Sequence, residues 1–179
     1  MEKINNETVV SISMIKLQAS LFISTVIMMF GVLFLHSFMY GESTITFTFS
    51  GLLLFLLAMV ILVCVHEAIH LLGFRYIGGV PWKELDWGVN LKLGAAYAHS
   101  KKIITVAQMK KVLLLPLLPT GLLPLAVGLA FNLPVISILG VLLTAGCAGD
   151  LVLYRKMHSF SNKAFVLDHP TKPQFTVYE

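Results

Sequence analysis

Read as a pattern of apolar and polar positions, the chain is four long apolar runs separated by short polar connections. The runs extend from about Leu17 to Phe38, Ser50 to Leu72, Val112 to Phe131 and Leu133 to Leu153. Each meets the roughly 20 residues that a helix needs to cross a bilayer. Lys16 gives the first run a superficial likeness to a signal peptide. The run is too long for one, however, and no small-x-small cleavage site follows it cleanly, so it is read as a retained span. Pro116, Pro119 and Pro124, with Gly121, interrupt the third run and predict a kinked or partly unwound helix there. Such a break is tolerated only where protein or water satisfies the released carbonyls.

Between the second and third runs, residues Trp82 to Leu93 alternate partially with period two, and Gly94 precedes Ala95 to His99. This predicts a short strand or hairpin. Beyond His158, Pro170 and Pro173 stand in a stretch without strong periodicity. The expected architecture is an all-α membrane protein. A single domain over residues 1–158 carries four transmembrane helices and a short strand or hairpin between spans two and three. An irregular cytoplasmic tail follows over residues 159–179. No internal repeat is visible.

Composition strengthens this reading. The chain is 57% hydrophobic and 12% charged, with a mean hydropathy of +0.85, whereas soluble domains average about 25% charged residues. The net charge of +4 is not gathered into a patch that would suit nucleic acid, and no nucleic-acid partner is expected. Its distribution instead follows the runs. Lys3 and Lys16 precede the first, and residues 39–49 carry no Lys or Arg. Residues 73–111 carry Arg75, Lys83, Lys92, Lys101, Lys102, Lys110 and Lys111. The turn near Asn132 has none, and the tail has Arg155, Lys156, Lys163 and Lys172. By the positive-inside rule both termini and the middle connection are expected in the cytoplasm, so that spans two and four run in the same direction. Cys64 and Cys147 lie within apolar runs and read as small buried hydrophobes.

Candidate chemistry is concentrated in the second span, at His66-Glu67-Ala68-Ile69-His70. Residues four apart share a helix face, so both imidazoles can point at one metal ion. Glu67 is offset from that position and suits the general base that takes a proton from water at a zinc site. Three ionisable groups in one turn of a spanning helix are functional candidates by default. The competing reading is a pair of histidines reaching toward the membrane interface. A third ligand is suggested by depth. His66 lies 16 residues beyond Ser50 and Asp150 lies 17 beyond Leu133, which at ~1.5 Å per residue sets them level on parallel spans. The alternative for Asp150 is a pair with Arg155 or Lys156.

The histidine motif on one span and an aspartate near the end of a later one resemble the site-2 protease class of intramembrane zinc metalloproteases. The chain is more similar still to a small bacterial family of zincin-type membrane peptidases, with the motif in span two and a Gly-Asp pair, here Gly149-Asp150, in the last. The resemblance implies a bacterial cell-membrane protein that cleaves a peptide bond of a membrane-associated protein or peptide. It implies zinc as cofactor, His66, His70 and Asp150 as ligands, and Glu67 as base. The chain departs from site-2 proteases in having Ala148-Gly149-Asp150-Leu151 where those show Asn-Pro near Leu-Asp-Gly.

His99, with Tyr97 beside it, is a candidate contact for the oxyanion of the reaction, against the plainer reading of a solvated loop histidine. His36 reads as an interfacial residue, and Trp82 and Trp87 as interfacial anchors. The stretch from Trp87 to Leu93 is a candidate for pairing with an extended substrate. A non-catalytic membrane scaffold with a structural metal site, closed by His99 as fourth ligand, is the main alternative function. A proton-relay transporter is disfavoured by the absence of inverted repeats. Oligomeric state is not readable from the residues.

Overall fold

The computed structural model describes residues 7–41, 45–46, 48–90, 95–169 and 174–179. Strand β1 (Glu7–Ser11) leads into α1 (Met14–Tyr40), which is followed by α2 (Phe49–Tyr76). The hairpin strands β2 (Leu85–Asn90) and β3 (Ala95–Ser100) follow, then the short β4 (Ile104–Thr105) and α3 (Val106–Leu114). A π-helical turn at Leu117–Leu122 joins α3 to α4 (Leu123–Ala130). Helices α5 (Pro134–Gly146) and α6 (Ala148–Lys156) precede β5 (Phe165–Asp168) and β6 (Gln174–Tyr178). Among the described residues, four helical stretches, at Met14–Tyr40, Phe49–Tyr76, Val106–Ala130 and Pro134–Ser159, are long and apolar enough to cross a membrane.

The chain divides into two compact units. The first comprises Met1–Lys16, Glu67–Leu115 and Gly149–Glu179, the second Leu17–His66 and Pro116–Ala148. The first unit holds a sheet of order β1-β6-β5-β4, all antiparallel. Within residues 159–179, expected as an irregular tail, Phe165–Asp168 and Gln174–Tyr178 are therefore strands. Gln174–Tyr178 alternates, burying Phe175 and Val177, but five residues next to a proline-bearing stretch carry too little periodicity to be read alone. Pro170 and Pro173 themselves lie outside the described residues. Phe175, Val177 and Val166 pack with Phe74, Val80, Val112 and Met157 in one apolar core. Helix α3 begins with a capping box: Thr105 Oγ1 accepts from the Gln108 amide at 3.2 Å, and Gln108 Oε1 accepts from the Thr105 amide at 2.9 Å. The predicted hairpin is present as β2 and β3, paired from Leu85↔Ser100 to Asn90↔Ala95. Leu91–Gly94, which completes the predicted stretch, lies outside the described residues.

In the second unit the prolines of the third run produce the expected interruption, as a π turn rather than a simple kink. Helices α4 and α5 form a close hairpin turned at Asn132, whose φ of 51° is one that asparagine tolerates. A Cβ on Gly128 would collide with Ser137, so glycine sets how closely the two helices approach. His36, read from the sequence as an interfacial residue, is 1% exposed. Its ring bridges Ser137 Oγ, 2.8 Å from Nε2, and Asn132 Oδ1, 3.1 Å from Nδ1. Of the two cysteines, Cys147 is buried as expected and Cys64 is exposed on α2.

Candidate metal centre

His66, Glu67 and His70 all lie on α2, which runs unbroken from Phe49 to Tyr76. The helical spacing that puts both imidazoles on one face is thus realised. Within the first unit, His70 is 6% exposed, and its Nδ1 stands 3.0 Å from the carbonyl oxygen of Val112 on α3. A carbonyl only accepts, so Nδ1 carries a proton, and in the neutral ring the lone pair is then on Nε2. That Nε2 is 3.5 Å from Asp150 Oδ2. Asp150, singled out from its depth relative to His66, thus approaches the other motif histidine directly.

The separation is informative. A hydrogen-bonded ion pair closes to about 2.7–2.9 Å. Two ligands on a tetrahedral zinc ion, with metal–donor lengths of about 2.0–2.2 Å, stand about 3.4 Å apart. The His70–Asp150 spacing matches the edge of that tetrahedron, and the donor set of imidazole and carboxylate is one that zinc takes.

In the second unit, His66 Nδ1 is 3.2 Å from Thr120 Oγ1 in the π turn and 3.9 Å from Cys147 Sγ at the end of α5. Neither neighbour was anticipated. A threonine within a proline-broken span and a cysteine in an apolar run carry no sequence signal that would name a histidine partner.

His99 lies on β3 and is 4% exposed, so it is not a solvated loop residue. Its Nδ1 donates to Asp168 Oδ2 at 3.1 Å. Burial pushes the Asp168 carboxyl above its ordinary 3.8, opposed by the bond and charge of His99, the backbone N–H of His169 and the charge of His70. Tyr97, two residues before His99 and on the same strand face, pairs with Gly88. A Cβ at Gly88 would lie 2.9 Å from the Tyr97 hydroxyl, so the ring lies across the glycine.

Fold and geometry together define a helical protein with, among the described residues, four membrane-length helices, the His66–His70 motif on one of them and Asp150 of α6 against His70. The model of a family described as "Putative zincin peptidase" matches residues 59–165, more than half of the chain, from within α2 to the first residue of β5. The protein belongs to this family. Membership points to a zinc metallopeptidase. No curated protein and no solved structure matches the chain.

Proposed function

We propose that the protein is a membrane-embedded zinc endopeptidase that hydrolyses a peptide bond of a membrane-associated substrate. His66, His70 and Asp150 are its zinc ligands and Glu67 its general base, an arrangement like that of site-2 proteases. The observation that carries this reading is the 3.5 Å approach of His70 Nε2 to Asp150 Oδ2, one residue-turn from Glu67 on a helix whose motif spacing suits zinc. Bound zinc would supply a Lewis acid that acidifies water and polarises the scissile carbonyl. Glu67 takes the proton of the attacking water and returns it to the leaving amine. The carbonyl of Val112 orients His70. His99, held by Asp168, and Tyr97 are candidates for contacting the developing oxyanion or the substrate.

Strand pairing supports the proposed topology. Strand β1 precedes the first membrane-length helix, β4 follows the second, and β5 and β6 follow the fourth. If each helix crosses the bilayer, all four strands emerge on one face, as their pairing in one sheet requires. With the basic connections, this favours a cytoplasmic sheet and hairpin, with both termini on that side and the site near it, in a bacterial cell membrane.

A second reading is a non-catalytic scaffold whose metal is closed by a fourth protein ligand. With His99 engaged by Asp168, Cys147, 3.9 Å from His66, replaces it as the fourth donor. The two readings separate on Glu67→Gln. The peptidase reading expects stoichiometric zinc in purified wild type and variant alike, with cleavage of membrane proteins lost only in the variant. Wild type without zinc, or a Glu67→Gln protein that cleaves at the wild-type rate, would rule the peptidase out.

A further inference from the structure

We infer that Thr120 is a positioning residue that sets the tautomer of His66 and so prepares Nε2, rather than Nδ1, as that residue's metal-facing atom. The inference rests on the zinc reading above and extends it to the π turn.

Thr120 is fully buried. Its hydroxyl has a single proton, and that proton is engaged: Oγ1 donates to the carbonyl of Pro116 at 2.7 Å. Towards any other neighbour the hydroxyl can only accept. His66 Nδ1, 3.2 Å from Oγ1, must therefore be the donor. A second neighbour of Nδ1 reads the same way, since the Cys147 thiol donates to the carbonyl of Leu143 at 3.3 Å and turns sulfur lone pairs toward the ring. With the proton fixed on Nδ1, the lone pair is on Nε2.

His70 reaches the same tautomer through the Val112 carbonyl. The two orienting groups are eight residues apart in the chain, one at the end of α3 and the other in the π turn. The helical interruption is what presents a hydroxyl here. Pro119 removes one backbone donor from the turn, and Thr120 supplements it with a side-chain bond to Pro116. An orienting partner of this kind is typically worth 10–100-fold in metal affinity.

The test uses the full chain purified in detergent micelles, with zinc affinity measured by competition against a chromogenic chelator. Thr120→Val, which keeps shape and removes the acceptor, is expected to weaken zinc binding by about 10–100-fold, whereas Thr120→Ser stays near wild type. Thr144→Val is the control. Thr144 Oγ1 is buried and, among the described residues, has no hydrogen-bond partner, so its loss is expected to leave affinity unchanged. In metal-free wild type with 15N-labelled histidine, the His66 signal, identified by its loss in His66→Gln, is expected to report a protonated Nδ1.

Thr120→Val with wild-type affinity overturns the inference. So does a Cys147→Ala protein that loses zinc while Thr120→Val retains it, because sulfur and Nδ1 would then share the metal. A protonated Nε2 in the nitrogen spectrum overturns it even where Thr120→Val fails to fold. Wild type that binds no zinc defeats the peptidase reading instead, and is seen before any variant is made.

Discussion

His70 Nε2 and Asp150 Oδ2 stand 3.5 Å apart, wider than a good ion pair and close to the edge of a zinc tetrahedron. If they are two ligands of one ion, Asp150→Asn keeps the shape of the side chain but discards a charged donor. Its zinc affinity is expected to fall by at least about 100-fold, more than loss of an orienting neighbour costs. Chelator competition on the purified protein measures this directly, and an unchanged affinity would return Asp150 to the role of a simple partner for His70.

Metal removal should also be visible as lost stability. A ligand that binds only the folded state stabilises it by about 2.7 kcal/mol at one hundred times its Kd. Dialysis against a strong chelator is therefore expected to lower the unfolding temperature in micelles. Added zinc should restore it in wild type and fail to do so in a His66→Ala, His70→Ala double variant. Equal restoration in both would place the stabilising ion elsewhere.

Asp168 gives a pH dependence whose sign follows from its burial. Its carboxyl is pushed above the ordinary 3.8 in the folded protein, so folding disfavours the charged form. The contribution is most favourable below 3.8 and is lost as pH rises from there through the raised folded value. Asp168→Asn keeps an acceptor for His99 and removes the charge. Subtracting its unfolding temperature from that of wild type, from about pH 4 to about pH 8, should give a difference that grows more unfavourable to wild type as pH rises. A difference that is flat, or of opposite slope, contradicts the assignment.

His36 offers a prediction away from the metal. His36→Leu would leave the buried hydroxyl of Ser137, 2.8 Å from Nε2 in the wild type, without this partner. A cost of about 1–3 kcal/mol is expected, read as a lowered midpoint of unfolding, with zinc affinity unchanged. Coupled loss of zinc would show that the clamp between α1 and the α4–α5 turn reaches further than its own contacts.

Gly121 lies in the π turn, where a Cβ would stand 2.7 Å from Thr144 Oγ1 and 3.0 Å from Thr144 Cα. Gly121→Ala presses on backbone that cannot swing aside, and overpacking of this kind costs about 1–3 kcal/mol. Because Thr120 is its neighbour, zinc affinity should fall along with stability, in contrast to His36→Leu. Calorimetry and chelator competition on the same preparation separate the two effects.

The parts of the protein legible in the sequence are those written in long apolar runs or in a fixed spacing. The four membrane-length helices, the break at Pro116 to Pro124 and the helical register of His66 with His70 are of this kind. Asp150 could be singled out because it is a lone carboxylate in an apolar span; that its partner is His70 could not be read. The sheet was not legible. Strands β1 and β6 have five residues each and draw their stability from each other across most of the chain, a relationship that no local window contains. His99 was misjudged for the same reason: the group that removes it from water, Asp168, is supplied by β5. Thr120 and Cys147 are ordinary residues until the π turn and the end of α5 bring them beside His66.

Strand β6 occupies an interior place in its sheet, between β1 and β5, although its residues are made after those of every other strand. Until they are made, β1 has no neighbour in the sheet, and the pairing that joins residues 7–11 to 174–178 spans all four helices. Completion of this sheet must therefore be a late event in biogenesis, after the helices have been delivered to the bilayer. The core that holds His70 through Val112 would close at that same stage. A nascent chain would thus carry the His66–His70 motif long before the strands that complete this core.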